Sequence, residues 1–344
     1  MNSPLPEIPT PTPASKGHDF WRALSRKISF LILILIILPF LGVASVFVPG
    51  PLSEPKTIVI AHGASAPDIS AQLQHEGAIY WAPFFYAAAR FEANGSLKAG
   101  EYAIPAHAST TDIVMMMHEG KSVVRLFTVA EGLTSAEIVA LLNNDPVLTG
   151  TITPIPAEGS LLPETYRYSY GDSRASLIAR MQKMMQEKIN EVWASRESSL
   201  PLASPQQMVA LASIVEKETG KPEERPRIAG VFYNRLRINM RLQSDPTVIY
   251  ALTNGQQPLS RPLTHDDLAF ASPINTYASD GIPPQPICNP GRAALEAVAH
   301  PEHHNFLYFV ADGTGGHAFA ADLATQNANI NRWHAFQKNA GAHQ

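Results

Sequence analysis

The segment SPQQMVALASIVEKET, residues 204–219, predicts the helix around which the rest of the chain is arranged. Ser204 is a favourable N-cap, Pro205 suits the first helical position, and Gln207 completes a capping-box pattern. Apolar residues then recur at helical spacing along one face, and the last position on that face is Glu218. The segment therefore ends in a carboxyl group that continues an apolar face.

Two environments are open for Glu218 on this pattern. If the apolar face is buried as far as Glu218, partial desolvation disfavours the charged carboxylate and raises its pKa. A general acid that works near neutral pH needs a raised pKa of this kind. The alternative is a helix that frays at Gly220, with Glu216 and Glu218 both exposed on the surface. The spacing alone does not decide between the two.

Length and composition limit the classes of function that need to be considered. The 344 residues are enough for two or three compact units. The formal net charge of -4 gives no indication of bulk nucleic-acid binding, so no nucleic-acid partner is expected. The single cysteine, Cys288, excludes an intrachain disulfide and a cysteine-based zinc site. The four histidines between His300 and His317 lack the spacing of a helical zinc motif, so no metal is predicted.

Residues 28–48 form an uncharged, almost wholly apolar stretch that predicts a transmembrane helix. As a helix its length is about 31 Å, enough to cross the hydrocarbon core of a bilayer. A cleavable signal peptide is the alternative, but the apolar run is longer than a typical signal core and follows a long polar segment. Arg22, Arg26 and Lys27 precede the run. The positive-inside rule therefore places residues 1–27, a predicted disordered tail, in the cytoplasm and the bulk of the chain outside.

Three segments that follow the apolar stretch share one pattern. Beginning at Thr57, Gly100 and Leu126, each combines a short β-type run with an amphipathic helical run. The predicted helix N-caps, or their immediate neighbours, are Ser65, Thr110 and Thr134. The pattern predicts a small α+β module at residues 57–150. A spacer and a module that binds wall glycans both fit, because no aromatic cluster or charge set marks a ligand.

The last part of the chain combines predicted helices with long irregular loops. The spacing of apolar residues predicts helices over 174–193, 225–238 and 292–299. Pro, Gly and Asn recur throughout 243–291, and long loops of this kind are uncommon unless they build a binding surface. Residues 305–322 predict a final β-hairpin around the turn DGTGGH.

Polar and aromatic side chains are interleaved in the region after residue 218. Amide, guanidinium and carboxylate groups pair with sugar hydroxyls and acetamides, and tyrosine rings stack on sugar faces. A sugar-binding groove is therefore one interpretation. The other is that these residues only begin turns and brace a helix. The residues are Arg235, Arg237, Arg241, Gln243, Asp245 and Asn275, with Tyr233, Tyr250 and Tyr277.

At this level of detail the chain resembles the YceG-like endolytic murein transglycosylases. The matching stretches are EGSLLPETY (158–166), ASIVEKET (212–219), VFYNRLRINMRLQSDPTVIYAL (231–252), SPINTY (272–277), GIPPQPICNPG (281–291) and YFVADGTGGHAF (308–319). The resemblance implies an α+β chain with three parts: a single N-terminal transmembrane helix, a LysM-like α+β module at 57–150, and a mixed α/β catalytic domain of lytic-transglycosylase type at 155–338.

The resemblance also implies a function. Such a protein is a single-pass protein of the cell inner membrane, with its N-terminus in the cytoplasm and its catalytic domain in the periplasm. It is a lyase that needs no cofactor and cleaves the β-1,4 bond between MurNAc and GlcNAc within nascent peptidoglycan strands. It leaves 1,6-anhydro-MurNAc ends and so terminates strand elongation. Its expected partners are glycan strands, the membrane, and penicillin-binding synthases and other proteins of wall synthesis.

The catalytic glutamate of the family matches Glu218, the residue that the helical-face pattern favours. The positions expected to line the substrate groove are Asn234, Gln243, Asp245, Asn275, Tyr277 and His317. Two alternative functions stay open. One is a hydrolytic muramidase, which needs a second carboxylate from Glu216, Glu223 or Asp245. The other is a non-catalytic scaffold that binds the wall.

Overall fold

The computed structural model of the protein describes residues 16–341, which form a mixed α+β structure as predicted. The chain divides into two compact units, and the division falls after Val123. Three antiparallel two-stranded sheets are present in the described residues. The bounds predicted for the module, 57–150, and for the catalytic domain, 155–338, stay predictions.

The first helix, α1, runs over Lys16–Phe47. Its segment Phe20–Phe47 has 28 residues and a mean hydropathy of 2.9, which makes it long and apolar enough to cross a membrane. An N-terminal signal sequence has a similar length and composition, so the membrane crossing and its orientation stay predictions. Helix α1 includes residues 16–27 of the predicted tail, and residues 1–15 lie outside the described part of the chain.

The rest of the first unit repeats a strand followed by a helix. Its elements are β1 (Lys56–Ile60), α2 (Ala66–His75), α3 (Ala82–Glu92), β2 (Gly100–Ile104) and α4 (Thr110–Glu119). Strands β1 and β2 pair in antiparallel register, with Lys56 opposite Ile104 and Ile60 opposite Gly100. The two helices predicted for this unit are therefore found, whereas α3 was not predicted.

Side-chain caps explain where three of the helices begin. Ser65 caps α2 and Ser109 caps α4, and in each case an aspartate three residues later completes a capping box. Thr134 caps α5 of the second unit in the same way. Thr110 is thus the first residue of its helix and not the cap itself. Each cap satisfies otherwise unpaired backbone N–H groups and contributes about 1 kcal/mol.

The second unit has more helices than the sequence analysis predicted. Its elements are β3 (Arg125–Thr128), α5 (Ser135–Asn143), β4 (Thr165–Tyr168), α6 (Arg174–Ser195), α7 (Pro205–Glu218), a 3-10 turn (Pro222–Glu224), α8 (Arg225–Arg237), α9 (Asp245–Thr253), α10 (His265–Leu268), α11 (Arg292–Ala299), β5 (Tyr308–Ala311), β6 (His317–Ala320) and α12 (Leu323–Gly341). Strand β3 pairs with β4, and β5 pairs with β6, both antiparallel.

Helices α6, α7, α8 and α11 and the final hairpin confirm the predicted elements, but two longer helices were missed. Helix α9 begins at Asp245 inside the stretch predicted to be irregular. Pro246 occupies its first turn, where a proline favours a helix start, and this signal was interpreted only as a turn. Helix α12 follows the hairpin that was expected to end the domain.

Helix α7 lies within the main buried cluster of the second unit and contacts α6, α8, α9 and α11. Met208, Leu211 and Val215 are fully buried, and each contributes about 1.5–3 kcal/mol by leaving water. The hydroxyl of Ser204 caps the helix as predicted. The side chain of Gln207 accepts from the N–H of Ala203 and so does not complete the predicted box.

Candidate active site

Glu218 is the last residue of α7, and its side chain is partly buried. The hydroxyl of Ser244 donates a hydrogen bond to Glu218 Oε1. Burial raises the pKa of Glu218 to about 6; the Ser244 hydrogen bond opposes this rise, and the negative charge of Asp245 adds to it. The helix therefore does not fray at this end with a free glutamate, and Glu218 is a carboxyl group suited to general acid chemistry near neutral pH.

Ser244 is positioned by a buried network of hydroxyl groups. Its backbone N–H donates to Thr276 Oγ1 at 2.9 Å, and its carbonyl accepts from Thr247 Oγ1 at 2.6 Å. The hydroxyl oxygens of Thr247 and Thr276 are 2.9 Å apart. Because the network fixes the backbone of Ser244, it directs the hydroxyl towards Glu218. The sequence analysis missed Ser244, although the residue precedes Asp245 in a stretch that it had singled out.

Asp245 and Tyr277 form one side of the surroundings of Glu218. The hydroxyl of Tyr277 donates to Asp245 Oδ1 at 2.7 Å. Asp245 is exposed, and its charge is close enough to raise the pKa of Glu218. Burial, followed by the hydrogen bond to Asp245, raises the pKa of Tyr277, so the phenol keeps its proton. The structure thus brings these two predicted residues together beside the candidate acid.

Arg235 and His317 both lower the pKa of Glu218 and so favour its carboxylate form. Arg235 is buried at the end of α8, where its Nε donates to Leu307 O at 2.7 Å and its Nη1 to Leu242 O at 2.5 Å. Burial lowers the pKa of Arg235. The guanidinium is therefore a fixed cation whose position is set by two backbone carbonyls.

His317 is hydrogen-bonded to Glu224, which lies shortly after Glu218 in the sequence. Its Nδ1 lies 2.7 Å from Glu224 Oε2, and its backbone N–H donates to Glu224 Oε1 at 2.9 Å. Thr219 Oγ1 donates to the same Glu224 Oε2 at 3.2 Å. Partial burial raises the pKa of Glu224, but the hydrogen bonds from His317 outweigh this and hold it below its ordinary value. The carboxylate of Glu224, which the sequence analysis missed, thus links β6 to the end of α7.

Gln243 has an unusual backbone conformation next to this group. Its φ is 47°, in the left-handed region that residues other than glycine adopt only at a cost. Its N–H donates to Thr276 O at 3.2 Å, and its side chain is exposed. Strained residues of this kind concentrate at functional sites. Gln243 is therefore a good candidate for a ligand-contacting amide.

Comparison with known proteins identifies the family of this chain. The sequence model of the YceG-like family matches residues 58–332. The chain belongs to the YceG-like family. A crystal structure of a YceG-like protein from Listeria monocytogenes has 32% sequence identity and a TM-score of 0.51. It covers 80% of this chain and 98% of its own.

Two relatives of this YceG-like protein carry the name endolytic murein transglycosylase. The one from Bacillus subtilis is 35% identical over 172 residues, which cover 50% of this chain and 46% of that protein. The chain therefore spans about half the length of this relative. The one from Streptococcus pneumoniae strain D39 is 26% identical over 388 aligned positions, covering 91% of this chain and 70% of that protein.

Two asparagines that were expected to line the groove of this YceG-like protein instead hold its backbone. Asn275 is fully buried, and its Nδ2 donates to the carbonyls of Leu268 at 3.0 Å and Phe270 at 2.8 Å. Asn234 Nδ2 donates to the carbonyls of His304 at 2.8 Å and Phe306 at 3.0 Å. Their amide groups are committed to these carbonyls, so neither contact pattern supports a place in the groove.

The candidates for a second carboxylate lie in different environments. Glu216 is buried, and its two oxygens accept from Arg225 Nη2 and from the N–H of Gly291, both at 2.8 Å. It therefore serves the packing of α7. Glu223 is exposed in the turn after α7, and Asp245 alone of the three is hydrogen-bonded beside Glu218. Among the described residues, no group of three or more His, Cys, Asp and Glu side chains is arranged to hold a metal ion.

Proposed function

We propose that this YceG-like protein is an endolytic murein transglycosylase, a lyase that cleaves nascent peptidoglycan strands between MurNAc and GlcNAc and leaves 1,6-anhydro-MurNAc ends. The observation that carries the proposal is the partly buried Glu218, held by Ser244 and with a pKa raised to about 6. The names of the relatives from Bacillus and Streptococcus supply the substrate class.

In the first step Glu218, as the acid, donates its proton to the glycosidic oxygen. The bond from MurNAc C1 to that oxygen breaks, its electron pair stays on the oxygen, and GlcNAc leaves with a free 4-hydroxyl. Positive charge develops on C1 and the ring oxygen of MurNAc. The carboxylate of Asp245, held by Tyr277, is a fixed negative charge in the same region that stabilises this cation.

In the second step Glu218, now a carboxylate, removes the proton of the MurNAc C6 hydroxyl. The C6 oxygen bonds to C1, which closes the 1,6-anhydro ring and returns Glu218 to its starting form. No water enters the reaction. Both forms of Glu218 must be accessible, and its surroundings meet that need: burial and Asp245 favour the acid, whereas Ser244, His317 and Arg235 favour the carboxylate.

The proposed location follows from the first part of the chain. Helix α1 crosses the inner membrane with the N-terminus in the cytoplasm, because Arg22, Arg26 and Lys27 precede its apolar run. The catalytic part then lies in the periplasm, where glycan strands are polymerised. The repeats of a β-strand and a helix in residues 57–150 form a LysM-like module that binds the glycan strand. Cleavage of strands that are still being extended terminates their growth beside the penicillin-binding synthases.

The test is product analysis with the full chain in detergent, comparing the wild type with Glu218→Gln. The wild type is expected to release fragments whose MurNAc ends are one water lighter than reducing ends, and Glu218→Gln is expected to release none. Reducing ends would instead identify a muramidase that uses Asp245 as its second carboxylate. A wild type that binds strands without shortening them would identify a scaffold. Full activity in Glu218→Gln refutes the assignment.

A further inference from the structure

A cavity of about 520 Å³ lies at the end of α7 opposite to Glu218. Gln206, which lines it, is twelve residues before Glu218 in sequence, so the two are about 18 Å apart along the helix. Ligand sites typically have volumes of about 300–1,000 Å³. The cavity therefore has the size of a binding site but is separate from the reacting carboxyl group.

The lining of this cavity suits amide and carboxylate groups better than sugar rings. Its polar side chains belong to Glu158, Ser160, Gln182, Lys183, Gln186 and Gln206. Its floor is apolar, formed by Met185, Ile189 and Val209. Of its described lining residues none is aromatic, whereas sugar faces are usually bound by stacked rings. Glutamine amides pair with peptide N–H and C=O groups, and a lysine pairs with a carboxylate.

Glu158 has an unpaired oxygen at the edge of the cavity. Its Oε1 accepts from the N–H of Ser135 at 2.9 Å. Its Oε2 is buried and has no hydrogen-bond partner among residues 16–341. Burial raises the pKa of Glu158 to about 7. Buried polar atoms in native proteins are nearly always paired, so the unpaired oxygen of Glu158 next to this cavity is an exception.

Two smaller cavities lie in the same part of the second unit and share lining residues. A cavity of about 410 Å³ shares Glu158, Gln206 and Pro286 with the first. A third, of about 350 Å³, shares Tyr250 with the second and includes Lys217 and Pro246. Those last two residues are the sequence neighbours of Glu218 and Asp245. The three cavities thus share lining residues one with the next, and the third contacts α7 at Lys217.

We propose that the cavity lined by Lys183 and the three glutamines binds the peptide stem carried by the glycan strand, an inference that rests on the proposed function. A fully extended stem of five residues spans at most about 18 Å, which matches the separation of Gln206 from Glu218, so a pentapeptide stem on a MurNAc near Glu218 reaches the edge of the cavity. Lys183 is exposed, and its nearest acidic partner, Glu187, is 3.9 Å away. A surface pair at that distance is weak, so Lys183 is available for the terminal carboxylate of the stem.

Peptide binding tests this site without any cleavage. The protein is the full chain in detergent with Glu218→Gln, and the probe is a synthetic stem pentapeptide with a free terminal carboxylate, titrated by calorimetry. Lys183→Ala is expected to weaken binding about twofold to fivefold, the effect of one lost solvent-exposed ion pair. A peptide with an amidated C-terminus is expected to bind equally weakly to the proteins with and without Lys183→Ala, because it lacks the carboxylate that Lys183 pairs with. Lys188→Ala, the same change on the same helix but outside the cavity, is expected to bind normally.

If the pentapeptide binds equally well to the Glu218→Gln protein with and without Lys183→Ala, the proposal is overturned. It is also overturned if the pentapeptide shows no saturable binding to the Glu218→Gln protein. Cleavage provides the second readout, on strands with stems and on strands stripped of stems by an amidase. Lys183→Ala is expected to lower kcat/KM several-fold only for strands with stems, and an equal fall for both substrates overturns the proposal. Saturable peptide binding by a protein that cleaves neither substrate supports the stem site and refutes the proposed lyase.

Discussion

Replacement of Ser244 by alanine is expected to move the pH dependence of cleavage without destroying the site. The hydroxyl donates to Glu218 Oε1 and opposes the rise of the pKa that burial causes. A hydrogen bond to a charged group is worth about 1.5–3 kcal/mol when fully buried. Glu218 is only partly buried, so a value near the lower end applies, and 1.36 kcal/mol corresponds to about one pKa unit. Loss of the Ser244 hydroxyl should therefore raise the pKa of Glu218 further above about 6.

The sign of the effect follows from the proposed role of Glu218 as an acid in the first step. Cleavage requires its protonated form, so kcat falls as the pH rises through its pKa. Ser244→Ala should shift this alkaline fall upwards by about one pH unit. The assay is kcat for release of anhydro ends between pH 5 and pH 9. Ser176→Ala, which removes an exposed hydroxyl at the start of α6, serves as the matched control. If kcat of Ser244→Ala falls at the same pH as in the wild type, or at a lower pH, the reasoning is refuted.

The remaining predictions concern stability and the site. Glu218→Gln should raise the free energy of unfolding at pH 7 by about 1–2 kcal/mol, because the pKa of Glu218 is higher in the folded state than its ordinary 4.5; urea titrations should show this gain vanishing below pH 4.5. Arg225→Ala should lower the free energy of unfolding by about 3–5 kcal/mol, since Glu216 is left buried without a cation; an unchanged urea midpoint contradicts this. Gln243→Gly should raise the free energy of unfolding by about 1 kcal/mol, because glycine adopts the left-handed conformation without strain. The KM for glycan strands should increase, because the amide side chain is lost. A lower Tm or an unchanged KM argues against a strained, ligand-contacting Gln243.

Local signals in the sequence were sufficient for much of the fold. The helix starts at Ser65 and Thr134 follow from side chains that bond to backbone a few residues away, so nothing distant is needed to predict them. The face of α7 that leads to Glu218 is also a local pattern. Helix α9 shows the limit, because its start at Asp245 and Pro246 has the same signal as a turn.

The surroundings of Glu218 depend on contacts between residues that are far apart in sequence. Ser244 reaches Glu218 across 26 residues, and no pattern in either segment indicates that contact. Asn275 was expected in the groove because of the resemblance to the family and because polar and aromatic side chains alternate in its region. The loop instead needs its amide to satisfy the carbonyls of Leu268 and Phe270, and a buried backbone oxygen without a partner is costly.

The pairing of His317 with Glu224 has a consequence for the order of events during synthesis. The two residues are 93 positions apart, and Glu224 also accepts from the hydroxyl of Thr219, the neighbour of Glu218. A growing polypeptide that has emerged only as far as α11 lacks the hairpin that completes this linkage. The contact of His317 with Glu224 is therefore formed after the other contacts around Glu218, so products that end before the hairpin should lack this linkage and, under the proposed function, have impaired activity towards glycan strands.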